Sequence, residues 1–443
     1  STRLFFIGSF IIQKHFFNGK CRKNNNQYKG FNIAYIIMKK RGVILSTIVQ
    51  KYGGTSMGSI EKIKSVAKKV ILEKEKGNDV VVVVSAMGKT TNKLVDLAKE
   101  ISVNPDKREL DVLLSTGEQI SISLLAIAIQ SLGYDAISFT GYQAGIRTKG
   151  IHSKSEIESI DIDRIKENLE QGKIVIVAGF QGINESGDIT TLGRGGSDTT
   201  AVALAASLGC NCIIYTDVEG IYPVDPKLYP NAKKIDCIGY KEMIEMSRLG
   251  AGVMETTSVE IGYRKNVPIY VTSSSKDTKG TYITGNESTI NCKPIIGIAI
   301  DNNTSILTIK NILLKSNDIS IIFDILSNEN LEIKMINQIA SDNENTNLSF
   351  IVSKGDLGCV DKAMYEIKSE LNHVEVYKDL DISTISVVGK GINYDVINKI
   401  FNIFKTNNID FKQAFTSELS ISFIVDDKYK QSFIELVGDE FNL

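Results

Sequence analysis

The strongest constraint on the fold is an alternation of short apolar runs with longer helical stretches, from residue 48 to about residue 285. Residues 80–84 are five consecutive valines, and residues 173–178 and 212–215 are similar runs. Such runs are typical of strands buried on both faces of a parallel sheet. The helical stretches lie at residues 61–76, 119–132 and 199–208. We therefore predict an α/β fold with an open, mainly parallel sheet between helices.

A repeat appears after residue 285. The segments Ile322-Phe323-Asp324-Ile325-Leu326 and Ile400-Phe401-Asn402-Ile403-Phe404 resemble each other and begin 78 residues apart, at residues 322 and 400. Each copy is predicted to contain strand, helix, strand, strand, helix and strand, an α+β unit of about 70 residues. Because solenoid repeats are shorter, about 20–50 residues, a duplicated module of this size favours tandem ligand-binding domains.

The first 46 residues differ in composition, with no Asp or Glu and scattered Arg and Lys. One interpretation is an organellar targeting leader, since such leaders are basic and poor in acids. The other is that Met38, followed by three basic residues, is the natural start, which makes residues 1–37 an extension. We favour the second and predict that the segment is non-native or disordered and dispensable for activity.

Composition narrows the possible partners. A formal net charge of -1 with 42% hydrophobic and 23% charged residues indicates a globular chain with no general attraction to nucleic acid or membrane. Cys210 and Cys212 are separated by one residue, which is poor spacing for zinc, and no metal site is predicted. Reduced, buried thiols fit a cytoplasmic protein.

The first motif that can carry chemistry is Lys51-Tyr52-Gly53-Gly54-Thr55-Ser56, between an apolar strand and a helix that starts at Ser59 or Ile60. Glycines at such a turn let backbone N–H groups approach a phosphate, and the helix N-terminus adds positive potential. Lys51 supplies a cation for charge on a transferred phosphoryl group. The order of residues is not that of a Walker A motif.

The second motif is residues 190–200, where Arg194 lies between Gly193 and Gly195 at the start of a small-residue helix. The guanidinium is free of competing side chains there, and its planar fork suits bidentate capture of a carboxylate. Ser197 and Asp198 also sit where helix N-caps belong, so capping alone is an alternative for them.

Two further segments are candidates. Glu118, in Ser115-Thr116-Gly117-Glu118, is expected to begin an apolar helix, where the helix dipole alone favours a carboxylate; the alternative is binding of a substrate ammonium. Residues 215–227 form a Gly/Pro-rich loop after a strand, the usual place for ligands in open α/β sheets. Its candidates are Tyr222 for a base, Asp217 or Asp225 for ribose or metal-associated groups, and Lys227 for phosphate.

Together with Gly179-Phe180-Gln181-Gly182, these motifs resemble those of the aspartate kinase family in order and approximate spacing, over residues 47–443. The duplicated unit is similar to the family's paired ACT domains. The resemblance implies an amino-acid-kinase domain at residues 47–285, a first ACT domain with linker at 286–380 and a second at 381–443. A strand at residues 295–300 is an alternative member of the second ACT domain.

The resemblance also implies the activity and its residues. ATP and Mg²⁺ would phosphorylate the side-chain carboxylate of L-aspartate, the first step toward lysine, threonine and methionine. A homodimer or homotetramer would respond to lysine, threonine or both at the ACT domains. The catalytic residues would be Lys51, Arg194 and Asp198. Aspartate would be bound by Thr55, Ser85, Thr91, Glu118, Arg194 and Ser197. The nucleotide would be bound by Lys51, Tyr52, Gly53, Gly54, Tyr215, Thr216, Asp217, Tyr222, Asp225, Pro226 and Lys227.

The chain departs from the family at two places. Gly252 stands where many members have a lysine associated with nucleotide, and Ser316-Asn317-Asp318 replaces the Pro-Gly turn of the first ACT domain. Two alternatives stay open: a non-catalytic amino-acid sensor built on a kinase scaffold, and a sibling kinase acting on another acid. Retention of Lys51, Glu118, Arg194 and Asp198 argues against the sensor.

Overall fold

The computed structural model describes residues 46–285 and 293–443, except residues 315, 330, 332 and 341–343. The extension predicted at the N-terminus lies outside the described residues as far as residue 45. The strands up to residue 285 are β1 (Thr47–Tyr52), β2 (Asp79–Val84), β3 (Ala136–Phe139), β4 (Ile146–Lys149), β5 (Glu156–Ile160), β6 (Ile174–Ala178), β7 (Gln181–Ile183), β8 (Ile189–Thr191), β9 (Asn211–Thr216), β10 (Cys237–Gly239), β11 (Ile269–Ser273) and β12 (Thr281–Thr284). The helices are α1 (Ile60–Glu75), α2 (Thr90–Ile101), α3 (Lys107–Ser131), α4 (Asp163–Glu170), α5 (Gly196–Leu208), α6 (Tyr240–Arg248) and α7 (Thr256–Lys265).

Eight of these strands form one sheet, in the order β10-β12-β11-β9-β1-β2-β6-β3. Neighbouring strands are parallel except β11 and β12, which are antiparallel. Every residue of β2 and β6 is buried, as their unbroken apolar runs predict for strands covered on both faces. The order β9-β1-β2-β6 brings the carboxyl ends of four parallel strands side by side at one edge.

Two apolar cores lie on opposite faces of this sheet. On one face, α1 and α3 pack against side chains such as Val80, Val82 and Val84. On the other, the small residues of α5 let this helix lie close to β1 and β2, and all of its first ten residues are buried. A second sheet of four strands, in the order β5-β4-β7-β8, continues from β6 and leads into α5.

Among the described helices, α3 is long and apolar enough to cross a membrane by length and composition, but half of its most apolar window is buried inside the protein. It packs against α1, α2 and β8. Its apolar character is therefore explained by its place in the core.

The region after residue 293 contains two four-stranded antiparallel sheets. Its strands are β13 (Gly297–Asp301), β14 (Thr304–Leu313), β15 (Ile333–Ala340), β16 (Asn345–Ser353), β17 (Glu375–Asp379), β18 (Ile382–Val388), β19 (Phe411–Thr416) and β20 (Ser420–Asp426). Its helices are α8 (Asp318–Asn328), α9 (Leu357–Glu370), α10 (Tyr394–Thr406) and α11 (Asp427–Phe441), with a 3-10 turn at Lys354–Asp356.

The first sheet has the order β15-β16-β14-β17, and the second has the order β13-β18-β20-β19. We call these the first and second regulatory units. The second unit takes its fourth strand, β13, from the chain that precedes the first unit, pairing Gly297 with Val388. Ile306 and Ile351 of the first unit pack on Ile382 and Ile424 of the second. The predicted fold class, an α/β kinase domain followed by two α+β units, is confirmed.

Candidate active site

The carboxyl ends of β1, β2 and β9 form the floor of the candidate site. Lys51 is in register with Val83 of β2 and Ile214 of β9, so the first motif, Ser85 and Tyr215 end up adjacent. Residues 53–58 turn sharply before α1, which starts at Ile60, one of the two predicted positions, with Ser59 as its N-cap. A Cβ on Gly54 would lie 2.9 Å from the Ala86 carbonyl oxygen. Glycine is needed there because two backbone segments touch.

A buried ion pair stands over this turn. Lys51 Nζ lies 2.6 Å from Asp198 Oδ1, and the two side chains are 9% and 12% exposed. The ammonium also lies 3.5 Å from the point where a Cβ on Gly53 would be. The absence of a side chain on Gly53 leaves space beside the cation for an anion, as binding of a phosphate requires.

The expected capping role of Ser197 and Asp198 is not what the structure shows. Gly195 is the N-cap of α5 and makes no side-chain cap bond, so both residues lie within the first turn. Asp198 is used for the pair with Lys51, and Ser197 Oγ lies 2.8 Å from Ser85 Oγ. The two hydroxyls join the ends of β2 and α5 at the same edge as the lysine.

Glu118 does not begin a helix, and that expectation is wrong. The helix starts eleven residues earlier, at Lys107, with the Asp106 side chain as its cap. The pattern is hidden because the first turn carries Lys107, Arg108 and Glu109, which face solvent. The dipole explanation for Glu118 therefore fails, since helix-terminal charges act only within the first or last turn.

The Glu118 carboxyl group is instead directed at the end of β2. Its Oε1 accepts a hydrogen bond of 3.0 Å from the Ala86 N–H, and the residue is 3% exposed. Burial raises the pKa of this carboxyl group to about 7, against the lowering effect of the Ala86 bond. Oε2 has no hydrogen-bond partner among the described residues. A buried acceptor of this kind is suited to a substrate ammonium.

Arg194 lies on an exposed turn between Gly193 and Gly195, which have φ values of 76° and 65°. Glycine adopts this left-handed conformation without strain. None of the described residues hydrogen-bonds or ion-pairs with the Arg194 guanidinium. The side chain can therefore reach for a ligand carboxylate.

Sequence reasoning missed two residues that hold this turn. Glu255 packs directly against Gly195 and accepts hydrogen bonds from Thr199 Oγ1 (3.2 Å) and the Ser258 N–H (2.9 Å). Its contact explains why Gly195 carries no side chain. No signal in the local sequence pointed to Glu255, because it lies 60 positions away in the loop before α7.

The second missed residue is Asp111, which is fully buried in α3, two turns before Glu118. Its carboxylate accepts hydrogen bonds from Thr191 Oγ1 (2.5 Å), the Ser153 N–H (2.9 Å) and His152 Nδ1 (2.9 Å). Thr191 ends the strand that leads to Arg194. The signal in the sequence was an acidic residue seven positions before Glu118, on the same helical face.

The residues predicted to bind the nucleotide fall into two groups, one at the end of β9 and one on the loop that follows it. Tyr215 faces α1 and stacks on Tyr52, with ring centroids 4.6 Å apart, so its ring is occupied and its backbone is what reaches the site edge. Gly53 N–H donates to the Tyr215 carbonyl oxygen at 3.4 Å. Thr216 and Asp217 follow at the strand end. The other candidates, Tyr222, Asp225, Pro226 and Lys227, lie on the long loop between β9 and β10.

Two candidates for aspartate lie nearer the rim. Thr55 is exposed in the glycine turn, where its carbonyl oxygen accepts a bond from Lys62 Nζ. Thr91 is half-buried in the first turn of α2. The structure thus brings together Lys51, Gly53, Gly54, Ser85, Glu118, Ser197 and Asp198 at one edge of the sheet.

The fold and this edge define a class of small-molecule kinase. The model of the amino acid kinase family matches residues 46–273. Aspartokinase from Geobacillus stearothermophilus is 44% identical over 402 residues, covering 90% of this chain and 98% of the relative. Aspartokinase 2 from Bacillus subtilis (strain 168) matches with the same identity and coverage. The chain belongs to the aspartokinases of the amino acid kinase family.

Solved structures agree. Aspartate kinase from Synechocystis is 36% identical, with a TM-score of 0.50 over 89% of this chain and 69% of its own. Aspartokinase III from E. coli, in complex with aspartate and ADP (R-state), has a TM-score of 0.73 over 90% of this chain and 100% of its own, at 23% identity. The second likeness shows the shared fold.

Proposed function

We propose that this chain transfers the γ-phosphoryl group of ATP to the side-chain carboxylate of L-aspartate, giving 4-phospho-L-aspartate. The observation that carries the proposal is the buried Lys51–Asp198 pair beside Gly53, with Glu118, Ser85 and Ser197 at the same edge. Membership in the aspartokinases supports it. The reaction would be the first step toward lysine, threonine and methionine.

Substrate recognition follows from the charges of aspartate. Its ammonium would meet the buried carboxylate of Glu118, and a carboxylate would pair with the fork of Arg194. Ser85, Ser197, Thr55 and Thr91 would supply hydrogen bonds around it. Because a side-chain carboxylate with a reference pKa of about 3.9 is already ionised at neutral pH, the reaction needs no general base.

Phosphoryl transfer then depends on alignment and charge. Lys51 would neutralise the transferred group, while the N–H groups of Gly53 and Gly54 hold phosphate oxygens. Asp198 holds the Lys51 ammonium in place through the 2.6 Å pair. Tyr222, Asp225, Pro226 and Lys227 would bind the nucleotide with Tyr52 and with the backbone of Tyr215, Thr216 and Asp217.

Mg²⁺ is proposed as the partner of ATP. No group of three or more His, Cys, Asp or Glu residues suited to a metal occurs in the described part of the chain. Mg²⁺ bound with ATP is usually held mainly by phosphate oxygens and needs few protein ligands; Asp217, at the end of β9, is a candidate carboxylate. When bound, Mg²⁺ neutralises charge on the β- and γ-phosphates.

The remaining features are proposed from the resemblance and the two regulatory units. The kinase domain would span residues 47–285, and the units 286–380 and 381–443, with β13 added to the second. These units would bind lysine, threonine or both, and would hold a homodimer or homotetramer through their sheet edges. The enzyme would work in the cytoplasm.

The test is ADP release by the full chain with Mg-ATP, with and without L-aspartate, and with lysine and threonine titrated singly and together. Aspartate-dependent release that L-glutamate does not support is expected. Aspartate binding without turnover would favour the sensor alternative. Release that depends on a different acid would favour a sibling kinase.

A further inference from the structure

The loop that carries the nucleotide candidates has two faces. We call residues 217–234 the nucleotide loop. Tyr222 is half-exposed, and Asp225, Pro226 and Lys227 are exposed on its outer face. Val224 and Tyr229 point the other way and are 1% and 6% exposed. These two belong to the hydrophobic core of the second regulatory unit, so the inner face of the loop is part of that unit's core.

Specific contacts fix this arrangement. Tyr229 donates a 2.7 Å hydrogen bond to Asp439 Oδ1 of α11. Its ring lies directly against Gly438, where a Cβ would come within 2.9 Å of the ring carbons. Nearby, Gln431 Nε2 donates to the Leu228 carbonyl oxygen at 2.8 Å. The absence of a side chain at position 438 is what allows the ring to lie on the helix.

The backbone is held as well. The N–H of Ile298 in β13 donates to the Pro223 carbonyl oxygen at 2.7 Å, next to the nucleotide candidate Tyr222. A Cβ on the preceding Gly297 would collide with the same Pro223 oxygen. The second unit therefore holds the loop at two points, one on each side of Asp225.

Between these points the loop is a stiff turn. The N–H groups of Leu228 and Tyr229 both donate to the Asp225 carbonyl oxygen, at 2.8 and 2.9 Å. The Lys227 N–H donates to Asp225 Oδ1 at 2.9 Å. Because these bonds tie residues 225–229 into one piece, a displacement of Tyr229 moves the outer face of the loop with it.

We propose that Tyr229 is a positioning residue for the nucleotide, and that α11 of the second regulatory unit sets nucleotide affinity through it without touching the nucleotide. The proposal rests on the proposed function, which places ATP on the outer face of this loop. The second unit would then form part of the support on which the nucleotide site is built. Movement of α11 would then change the KM for ATP and leave the KM for aspartate unchanged.

The variant Tyr229→Phe in the full chain removes the hydroxyl and keeps the ring in the core. We expect the KM for ATP to rise about 3- to 10-fold, which is less than the full contribution of a hydrogen bond to a charged group, because the loop keeps its other contacts with the second unit. ADP binding measured without aspartate should weaken by the same factor, while kcat and the KM for aspartate stay within about 2-fold. In a separate variant, Asp439→Asn, the amide oxygen can still accept the bond from the Tyr229 hydroxyl. This variant should retain most of the wild-type affinity for ATP.

The matched control is Ser417→Ala. Ser417 Oγ donates to Glu245 Oε1 of α6 at 2.6 Å, a contact between the same two regions that does not involve the nucleotide loop. It should leave the KM for ATP unchanged. An unchanged KM for ATP in Tyr229→Phe, or an equal rise in both KM values, would overturn the proposal, as would the same effect in Ser417→Ala. A wild-type chain without aspartate-dependent ADP release would instead reject the proposed function.

Discussion

The two sides of the candidate site are built differently. The proposed aspartate side comprises Ser85, Glu118 and Ser197, which lie on β2, α3 and α5 or directly beside them, inside the kinase domain. The proposed nucleotide side is a loop whose inner residues, Val224 and Tyr229, belong to the core of the second regulatory unit. One side is fixed by a single domain, and the other is shared between two.

This difference indicates where control can act. Residues on packed helices and strands keep their geometry unless the domain unfolds, whereas a loop seated on another domain follows that domain. A regulatory ligand is therefore expected to act on the nucleotide more than on aspartate. The following variants test whether the two sides act separately. Each variant should affect either the aspartate side or the nucleotide side, except a change in the Lys51–Asp198 pair, which lies between them.

Lys51→Ala should have the largest effect, because Lys51 joins the two sides. We expect kcat to fall by about 10²- to 10³-fold, as when one group that stabilises transition-state charge is removed. The KM for aspartate should change little, since the charge matters most during transfer. Steady-state kinetics at saturating ATP measures both. A normal kcat with weak aspartate binding would reverse the assignment.

Arg194→Ala should damage the aspartate side alone. Loss of a bidentate, charge-assisted pair is worth about 2–4 kcal/mol, or roughly 30- to 1,000-fold in aspartate affinity. Arg194→Lys should recover little, because an ammonium lacks the planar fork. ADP binding without aspartate, followed by calorimetry, should be unaffected. If ADP binding is lost and aspartate binding is kept, Arg194 belongs to the nucleotide side.

The pH dependence of aspartate binding should report on Glu118. Burial raises the pKa of this carboxyl group to about 7 from 4.5, so its charged form is lost as pH falls through 7. Binding of the ammonium should weaken toward about tenfold per pH unit below that value. ADP binding should lack this dependence, and Glu118→Gln should abolish it. A pH profile that survives in the variant would contradict the assignment.

The same group affects stability in the opposite sense. Without bound aspartate, Glu118 is protonated in the folded protein but ionised in the unfolded chain between pH 4.5 and about 7. Its contribution to stability is therefore present below pH 4.5 and is lost as pH rises through about 7. Bound aspartate should offset this loss. Thermal unfolding with and without aspartate, at pH 5 and pH 8, should show a larger ligand effect at pH 8.

Asp111→Asn should loosen the aspartate side without breaking it. The amide cannot accept all the bonds that Thr191, Ser153 and His152 donate, and a lost bond to a charged group costs about 1.5–3 kcal/mol. We expect urea unfolding at lower concentration and a rise of about 3- to 10-fold in the KM for aspartate. Glu109→Gln, on the exposed face of the same helix, is the control. Equal changes in both KM values would show a general loss of folding.

Gly252→Lys should have the smallest effect and should act on the nucleotide side. A Cβ on Gly252 would meet nothing within 4 Å, so a side chain fits. An exposed cation contributes up to about 1 kcal/mol, which corresponds to a KM for ATP about 2- to 5-fold lower. Gly252→Gln controls for chain length. A lower KM for aspartate instead would contradict the division.

The sequence predicts the sheet better than the arrangement of the candidate site. Apolar runs locate β2, β6 and β9, and a glycine motif follows the strand that carries Lys51. The grouping of Lys51, Ser85 and Asp198 comes instead from the resemblance to the aspartate kinases, because the order of strands in the sheet is not written in any one segment. Alternation along β9 places Tyr215 on the same face as Ile213, toward α1. The resemblance names Tyr215 only as a nucleotide-binding residue and does not say that its ring lies away from the nucleotide.

Other features could not be read in advance. The contacts of Asp111 with His152, Ser153 and Thr191 join segments 41 or more positions apart, and Glu255 contacts Thr199 across 56 positions; a contact of that range has no local pattern. The contact of Tyr229 with Gly438 depends on how the two domains pack together. The hydrophobic periodicity within either domain does not specify that packing. The burial of Glu118 was hidden by the charged first turns of α3, which shifted its expected start.

The stacked pair of Tyr52 and Tyr215 has an optical consequence. The rings are nearly parallel, 2° apart, and Lys69 Nζ lies 5.5 Å from the Tyr215 centroid, so both chromophores have a fixed asymmetric environment. The chain contains no tryptophan to mask them. Aromatic rings held in this way give near-ultraviolet circular dichroism, which disappears when packing loosens. The floor of the site therefore contributes to the near-ultraviolet signal of the 16 tyrosines, and loss of order at the glycine turn should reduce that signal without an added dye.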